Sequence, residues 1–241
     1  MAIGTFVSDV MEQDVPLRLS YKAKTKFKDF DDTFGGGVDP GYTCFFTGAS
    51  GGGKTTLIQQ AAFSIVNNTR HKAHVNLSEQ TTLDVRKKLS KLGFDGQKGF
   101  SVSDYTFVED LFSEVSARGL LAPDSGNPNR VAPWEFWLFL DSLDGLRTVE
   151  TADAPKYQQQ KDVIYKLYDW AKRTFSIVFI LGHVNKTGEA AGSNSLIHKL
   201  DGHLHLCIEK KTQKRFLWMP KNRGGPTFIK KYYTLNPKFI F

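Results

Sequence analysis

The sequence predicts an α/β fold with a mainly parallel central sheet flanked by helices and antiparallel strands near its C-terminus, an expectation that rests on three observations. Short apolar runs at 42–47, 73–77, 136–140 and 177–181 read as strands, the last two as continuous runs covered on both faces. Helical spacing separates them: Leu57, Ile58, Ala61, Ala62, Ile65 and Val66 form one stripe of a helix over 55–68, and a longer helix is expected over 157–174. Strands that alternate with helices need crossover connections, and these are right-handed and make neighbouring strands parallel.

Taken in order, residues 1–21 carry no core pattern and read as an arm or packing segment, and 22–241 as the core domain. A basic stretch at 22–28 precedes a glycine-rich turn at 34–41, which delivers the chain into the first core strand. After the strand at 73–77, polar-faced helices are expected over 82–92 and 107–117, ending near Gly93 and Gly119. The composition of 124–130, Asp-Ser-Gly-Asn-Pro-Asn-Arg, is that of an exposed mobile loop. The last third changes character. Runs at 204–208, 215–219 and 227–233, with turns at 210–212 and 224–226, read as strands of an antiparallel extension. No internal repeat or low-complexity tract interrupts the chain.

The most specific motif is Gly48-Ala49-Ser50-Gly51-Gly52-Gly53-Lys54-Thr55, a complete G-x-x-x-x-G-K-[ST] string between a strand and a helix. Closely spaced glycines let successive backbone N–H groups curl around a phosphate, and the following helix aims its positive end at the same group. Gly48, Ser50, Gly51, Gly52, Gly53, Lys54, Thr55 and Thr56 are therefore expected to hold a nucleotide triphosphate, with Lys54 on the β- and γ-phosphates and Thr55 on Mg²⁺.

Bulk properties narrow the setting. A chain of 241 residues, 40% hydrophobic and 24% charged, is an ordinary folded protein, neither disordered nor fibrous. A net charge of +7 and a pI near 9.3 suit contact with a polyanion, and equally suit plain solubility. Cys44 and Cys207 lie in apolar strand-like runs and read as buried core residues in a reducing compartment. No run approaches a membrane span and the start has no signal pattern, so a soluble, intracellular protein is expected.

Several side chains fall at the carboxyl ends of the predicted strands, where ligands sit in open α/β sheets. Asp141 closes the 136–140 strand and either holds the hydration shell of Mg²⁺ near Thr55 or caps the next turn; Asp144 is the alternative acid. Glu79 follows the 73–77 strand and either orients the water that attacks the γ-phosphate or caps the next helix. His183 follows the 177–181 strand and either contacts the γ-phosphate region or is a satisfied structural residue. His198, His203, His205 and Cys207 have metal-like density, but 203, 205 and 207 alternate with Leu204, Leu206 and Ile208 along a strand, which argues for one face of a sheet.

The string 25–41, the loop 48–55, Ser78-Glu79, Phe139-Leu140-Asp141-Ser142, Gly182-His183-Val184-Asn185-Lys186 and Lys221-Asn222-Arg223-Gly224 together resemble the ATPase core of the RadA (Sms) branch of the RecA superfamily. More distantly they resemble the motor of DnaB-type replicative helicases. The resemblance runs collinearly from about residue 20 to the C-terminus, with Lys221-Asn222-Arg223-Gly224 matching the Lys-Asn-Arg-Phe-Gly signature of RadA except for Gly224-Gly225 in place of Phe-Gly. It implies a RecA-like phosphate-loop core that binds ATP and Mg²⁺ and hydrolyses ATP, with Glu79 as catalytic carboxylate, Thr55 and Asp141 at the metal, and His183 as γ-phosphate sensor.

The same resemblance implies that Lys221 and Arg223 act in trans, inside the nucleotide site of a neighbouring subunit of a hexameric ring or helical filament. It further implies that the segments 147–161 and 186–199 face single-stranded DNA, with Arg147, Lys156, Lys161 and Lys186 on phosphates. A DNA-dependent ATPase of recombination, branch migration or helicase-like translocation is expected, in the cytoplasm of a bacterial or phage-infected cell. The alternative is an ATP-gated assembly or loading protein, or a regulatory ATPase resembling KaiC. The zinc module and Lon-like domain of RadA have no counterpart in these 241 residues, nor has the DnaB scaffold domain, so a free-standing motor core is expected.

Overall fold

The structure is a computed structural model that describes residues 22–79, 81, 83, 87, 90, 99–118, 136–183, 194–209 and 211–233. Among these residues eight strands form one sheet in the order β3-β2-β4-β5-β1-β6-β7-β8. The strands are β1 (Thr43–Gly48), β2 (Lys72–Asn76), β3 (Phe100–Ser103), β4 (Phe136–Leu140), β5 (Ile177–Leu181), β6 (Gly202–Ile208), β7 (Arg215–Asn222) and β8 (Phe228–Tyr233). The first six run parallel, and β7 and β8 are antiparallel additions. The antiparallel extension is thus shorter than expected, because β6 lies beside β1 in parallel register, Cys44 opposite Gly202 and Gly48 opposite Leu206.

β1, β4 and β5 are buried along their whole length, which is why Thr-Cys-Phe-Phe-Thr-Gly, Phe-Trp-Leu-Phe-Leu and Ile-Val-Phe-Ile-Leu read as continuous runs. Alternate side chains go to opposite faces. Cys44, Phe46, Trp137, Phe139 and Phe179 pack with α2 (Lys54–Asn68) and the aromatic pair Phe30 and Phe34, at α1 (Lys28–Thr33) and its C-terminal end. Phe45, Leu138, Leu140, Val178 and Ile180 pack with α3 (Val108–Ala117), α4 (Lys156–Thr174) and α5 (Asn194–Lys199).

Sequence periodicity missed α1, β3 and α5, each of six residues or fewer. The 186–199 segment, expected as a loop, ends in the helical turns of α5; residues 184–193, including Lys186, lie outside the described residues. So do the expected arm at 1–21, the insert at 124–130 and most of the helix expected at 82–92. Cys44 is buried, whereas Cys207 is half-buried, and both are free thiols. Among the described residues no helix is long and apolar enough to cross a membrane.

Candidate nucleotide site at the carboxyl edge of the sheet

β2, β4, β5 and β1 are consecutive in the sheet, so the residues that follow them line one edge. Glu79 follows β2, Asp141 follows β4, His183 follows β5 and the phosphate loop follows β1. Strands stand about 4.8 Å apart, a spacing that brings side chains from neighbouring ends into contact range.

Gly51 and Gly53 take left-handed φ values of 69° and 106°, and Gly53 opens α2 with no side-chain cap, leaving the first N–H groups of the helix to an incoming anion. Gly48 is required by a neighbour. A Cβ there would lie 2.6 Å from the Leu206 carbonyl oxygen on β6. Lys54 turns back over the loop, donating to Gly48 O at 2.8 Å and Ala49 O at 3.1 Å. Burial lowers the pKa of its ammonium, against the opposing pull of Asp141 and Glu79.

Asp141 accepts a hydrogen bond from Thr55 Oγ1 at 2.5 Å. Burial raises the pKa of its carboxyl, the Thr55 hydroxyl opposes that shift, and Glu79 adds to it. A desolvated carboxylate that converges with a hydroxyl on the phosphate loop is a donor set suited to Mg²⁺, whose charge would offset the burial. Asp144, the alternative acid, accepts from Gln160 Nε2 at 2.9 Å through Oδ1 and stays at the same sheet edge. Glu79, Asp144 and His183 each present a ligand atom within 4.8 Å of the others. Gly182, just before His183, leaves room for the Phe45 ring, since a Cβ there would sit 2.4 Å from it.

The three-residue 3-10 turn Leu143–Gly145 follows the strand-end pair Asp141-Ser142, whose peptide bond is cis. Ser142 donates to Glu79 Oε1 at 2.5 Å, and its carbonyl accepts from Ser78 Oγ at 2.9 Å.

Lys221 and Arg223 lie elsewhere. β7 runs against β6, so Asn222 pairs with Gly202 beside Cys44, at the amino end of the parallel strands. Gly48 lies four steps along β1 from Cys44, about 13 Å of strand. Within this protomer Lys221 donates to Ile197 O at 2.8 Å and His198 O at 2.9 Å, and Arg223 donates to His198 O at 3.1 Å, so both cap the end of α5. Burial and the neighbouring Arg223 lower the Lys221 pKa. Gly224, which replaces the Phe of the RadA signature, packs where a Cβ would lie 2.1 Å from Asp39 Oδ2 and 3.3 Å from the Tyr42 ring.

Among the residues expected to face DNA, Arg147 stacks over the Phe107 ring at 4.4 Å, Lys156 donates to Asp144 O, and Lys161 lies 5.9 Å from the Tyr165 ring. Two features of the loop surroundings escaped the sequence reading. Arg215, at the start of β7, donates to Gly52 O at 3.0 Å and so braces the phosphate loop. Thr47, just before the loop, bonds to His203 Nε2 at 2.8 Å and His205 Nδ1 at 2.7 Å. That sharing, with burial pushing the pKa of His203 down to about 4 and that of His205 down as well, identifies the histidines as sheet-face residues, in keeping with their alternation.

Fold and site together define a RecA-like phosphate-loop NTPase core. Its sequence relatives are bacterial proteins named DNA repair protein RadA: the chain is 30% identical over 200 residues to that of Brucella abortus and 28% identical over 207 residues to that of Streptococcus pneumoniae. These matches cover 83% and 86% of this chain but 40% and 45% of the relatives, so the chain spans less than half their length. No family model matches it. Among solved structures, a KaiC-like protein of Pyrococcus horikoshii superposes with a TM-score of 0.66 at 17% identity, covering 90% of this chain and 96% of that one, a likeness of fold.

Proposed function

We propose that this chain is a DNA-dependent ATPase of the RecA/RadA type, which binds single-stranded DNA as an oligomer and couples ATP hydrolysis to recombination, branch migration or helicase-like translocation. The observation that carries the reading is the convergence at one sheet edge of Thr55 with Asp141 and of Glu79 with Asp144 and His183, beside the phosphate loop. The similarity to proteins named for DNA repair supplies the context.

In this proposal Thr55 and Asp141 hold Mg²⁺, which when bound neutralises charge on the β- and γ-phosphates. Lys54 leaves the Gly48 and Ala49 carbonyls for the phosphates, the backbone N–H groups that open α2 cradle them, and Glu79 orients the attacking water. His183 senses the γ-phosphate and passes its presence to the chain beyond it. Lys221 and Arg223 stand too far from their own phosphate loop to serve it, and complete the site of a neighbouring subunit instead. Arg147, Lys156, Lys161 and Lys186 contact DNA phosphates, so binding weakens as salt rises.

The test is steady-state ATP hydrolysis with and without single-stranded DNA, for the wild type, Lys54→Ala and Glu79→Gln. Wild-type turnover should rise with DNA and fall by about 100-fold or more in both variants. Equal, negligible rates in all three proteins would exclude the enzyme. A DNA-independent rate, with no DNA binding at low salt, would move the function to the KaiC-like regulatory alternative.

A further inference from the structure

We infer that Ser142 is a positioning residue that sets the reach of Glu79, an inference that rests on the role proposed above for that carboxylate. Glu79 sits at an exposed turn beyond the end of β2, where three side-chain torsions would otherwise let its carboxylate wander. Ser142 is buried, and its single hydroxyl proton goes to Glu79 Oε1 at 2.5 Å. The Ser142 oxygen in turn accepts the Asp144 N–H at 3.2 Å, which fixes the direction of the O–H bond.

The seat of Ser142 is itself built. Its carbonyl accepts from Ser78 Oγ at 2.9 Å, so the residue before Glu79 is tied to the same turn. Gly145 makes that approach possible: a Cβ there would lie 2.2 Å from Ser78 Oγ and 2.7 Å from Ser78 Cβ. Asp141 N donates to Asn76 O at 2.8 Å, extending the β2–β4 ladder to the base of the turn. Two strand ends are therefore clamped together, with one glutamate oxygen held by Ser142. Loss of the hydroxyl leaves Glu79 chemically intact but unaimed, and a misplacement of about 1 Å at a reacting group costs on the order of 100-fold in rate.

The experiment measures kcat and KM for ATP hydrolysis in Ser142→Ala, Ser142→Cys, Ser142→Thr and Glu79→Asp, with the double variant Ser142→Ala/Glu79→Asp. Cysteine preserves the shape but donates poorly, so it reports on the hydrogen bond even where alanine disturbs folding. We expect kcat to fall by about 10- to 100-fold in the alanine and cysteine variants with KM within about twofold of wild type, and threonine to recover most of the loss. The shorter Glu79→Asp cannot reach Ser142, so adding Ser142→Ala to it should cost nothing further. Equal losses from Ser142→Ala in both backgrounds, or a change confined to KM, would overturn the positioning role and leave Glu79 its catalytic one. Wild-type turnover in Glu79→Gln would instead remove the catalytic role of Glu79, and the positioning role with it.

Discussion

Replacing Asp201 with alanine should destabilise the fold by about 3 kcal/mol, a value that follows from its partners. The side chain is buried between α5 and β6, and its Oδ2 accepts from Thr43 N at 2.9 Å, Thr43 Oγ1 at 2.8 Å and Lys172 Nζ at 2.7 Å. Alanine leaves the buried Thr43 N–H without an acceptor, at about 1–3 kcal/mol, and removes a hydrogen bond from a hydroxyl that can rotate away, at about 1 kcal/mol. Lys172 is more than one-third exposed, so water replaces its ion pair and the loss there is at most about 1 kcal/mol. Asparagine retains an oxygen for Thr43 and should cost only about 1 kcal/mol. Urea unfolding followed by far-UV circular dichroism measures both: for a slope near 3 kcal/mol/M, alanine should lower the midpoint by about 1 M with the slope unchanged. A loss in the alanine variant below about 1 kcal/mol, or an asparagine variant as unstable as alanine, would refute this accounting.

Burial pushes the pKa of His71, His74 and His203 down to about 4, below the ordinary value of 6.5, so the unfolded chain gains protons first as pH falls. Stability is therefore complete above pH 6.5 and is lost toward pH 4, by at most about 2 kcal/mol per histidine at pH 5; denaturant midpoints at pH 7.5 and 5 check this, and equal midpoints would contradict it. Gly48→Ala drives a Cβ to 2.6 Å from the Leu206 carbonyl, so it should cost at least about 2 kcal/mol and weaken ATP binding, measured by thermal melting and by titration of a fluorescent ATP analogue. Asp141→Asn should raise the Mg²⁺ concentration for half-maximal hydrolysis by about tenfold or more, measured by Mg²⁺ titration at saturating ATP.

What was legible in the sequence was set by burial and chemistry that act locally. The fully covered strands β4 and β5 announce themselves as unbroken apolar runs, and the phosphate loop as glycines in register with Lys54 and Thr55. Asp141, Glu79 and His183 were placed because each follows a recognisable strand, and strand ends share an edge. By contrast β3, Phe-Ser-Val-Ser, is a short edge strand only partly buried, and α5 is six residues long, so neither has a period to detect. The parallel pairing of β6 with β1 is set by long-range register, which local turn signals do not encode. Arg215 on the Gly52 carbonyl and Ser142 on Glu79 are likewise contacts between residues far apart in sequence. The capping of α5 by Lys221 and Arg223 is legible only in three dimensions, and gives a cis partner to residues for which the resemblance implies a trans one.

That contrast gives the most direct test of the shared-site account. Electron microscopy of the protein with single-stranded DNA and a slowly hydrolysed ATP analogue images oligomer, DNA path and neighbour contacts together. The account predicts a ring or filament in which Lys221 and Arg223 have left the α5 carbonyls for the phosphates of the adjacent subunit, with DNA facing Arg147 and Lys156. Monomers, or an oligomer with Lys221 still on Ile197 and His198 and the DNA elsewhere, would contradict it.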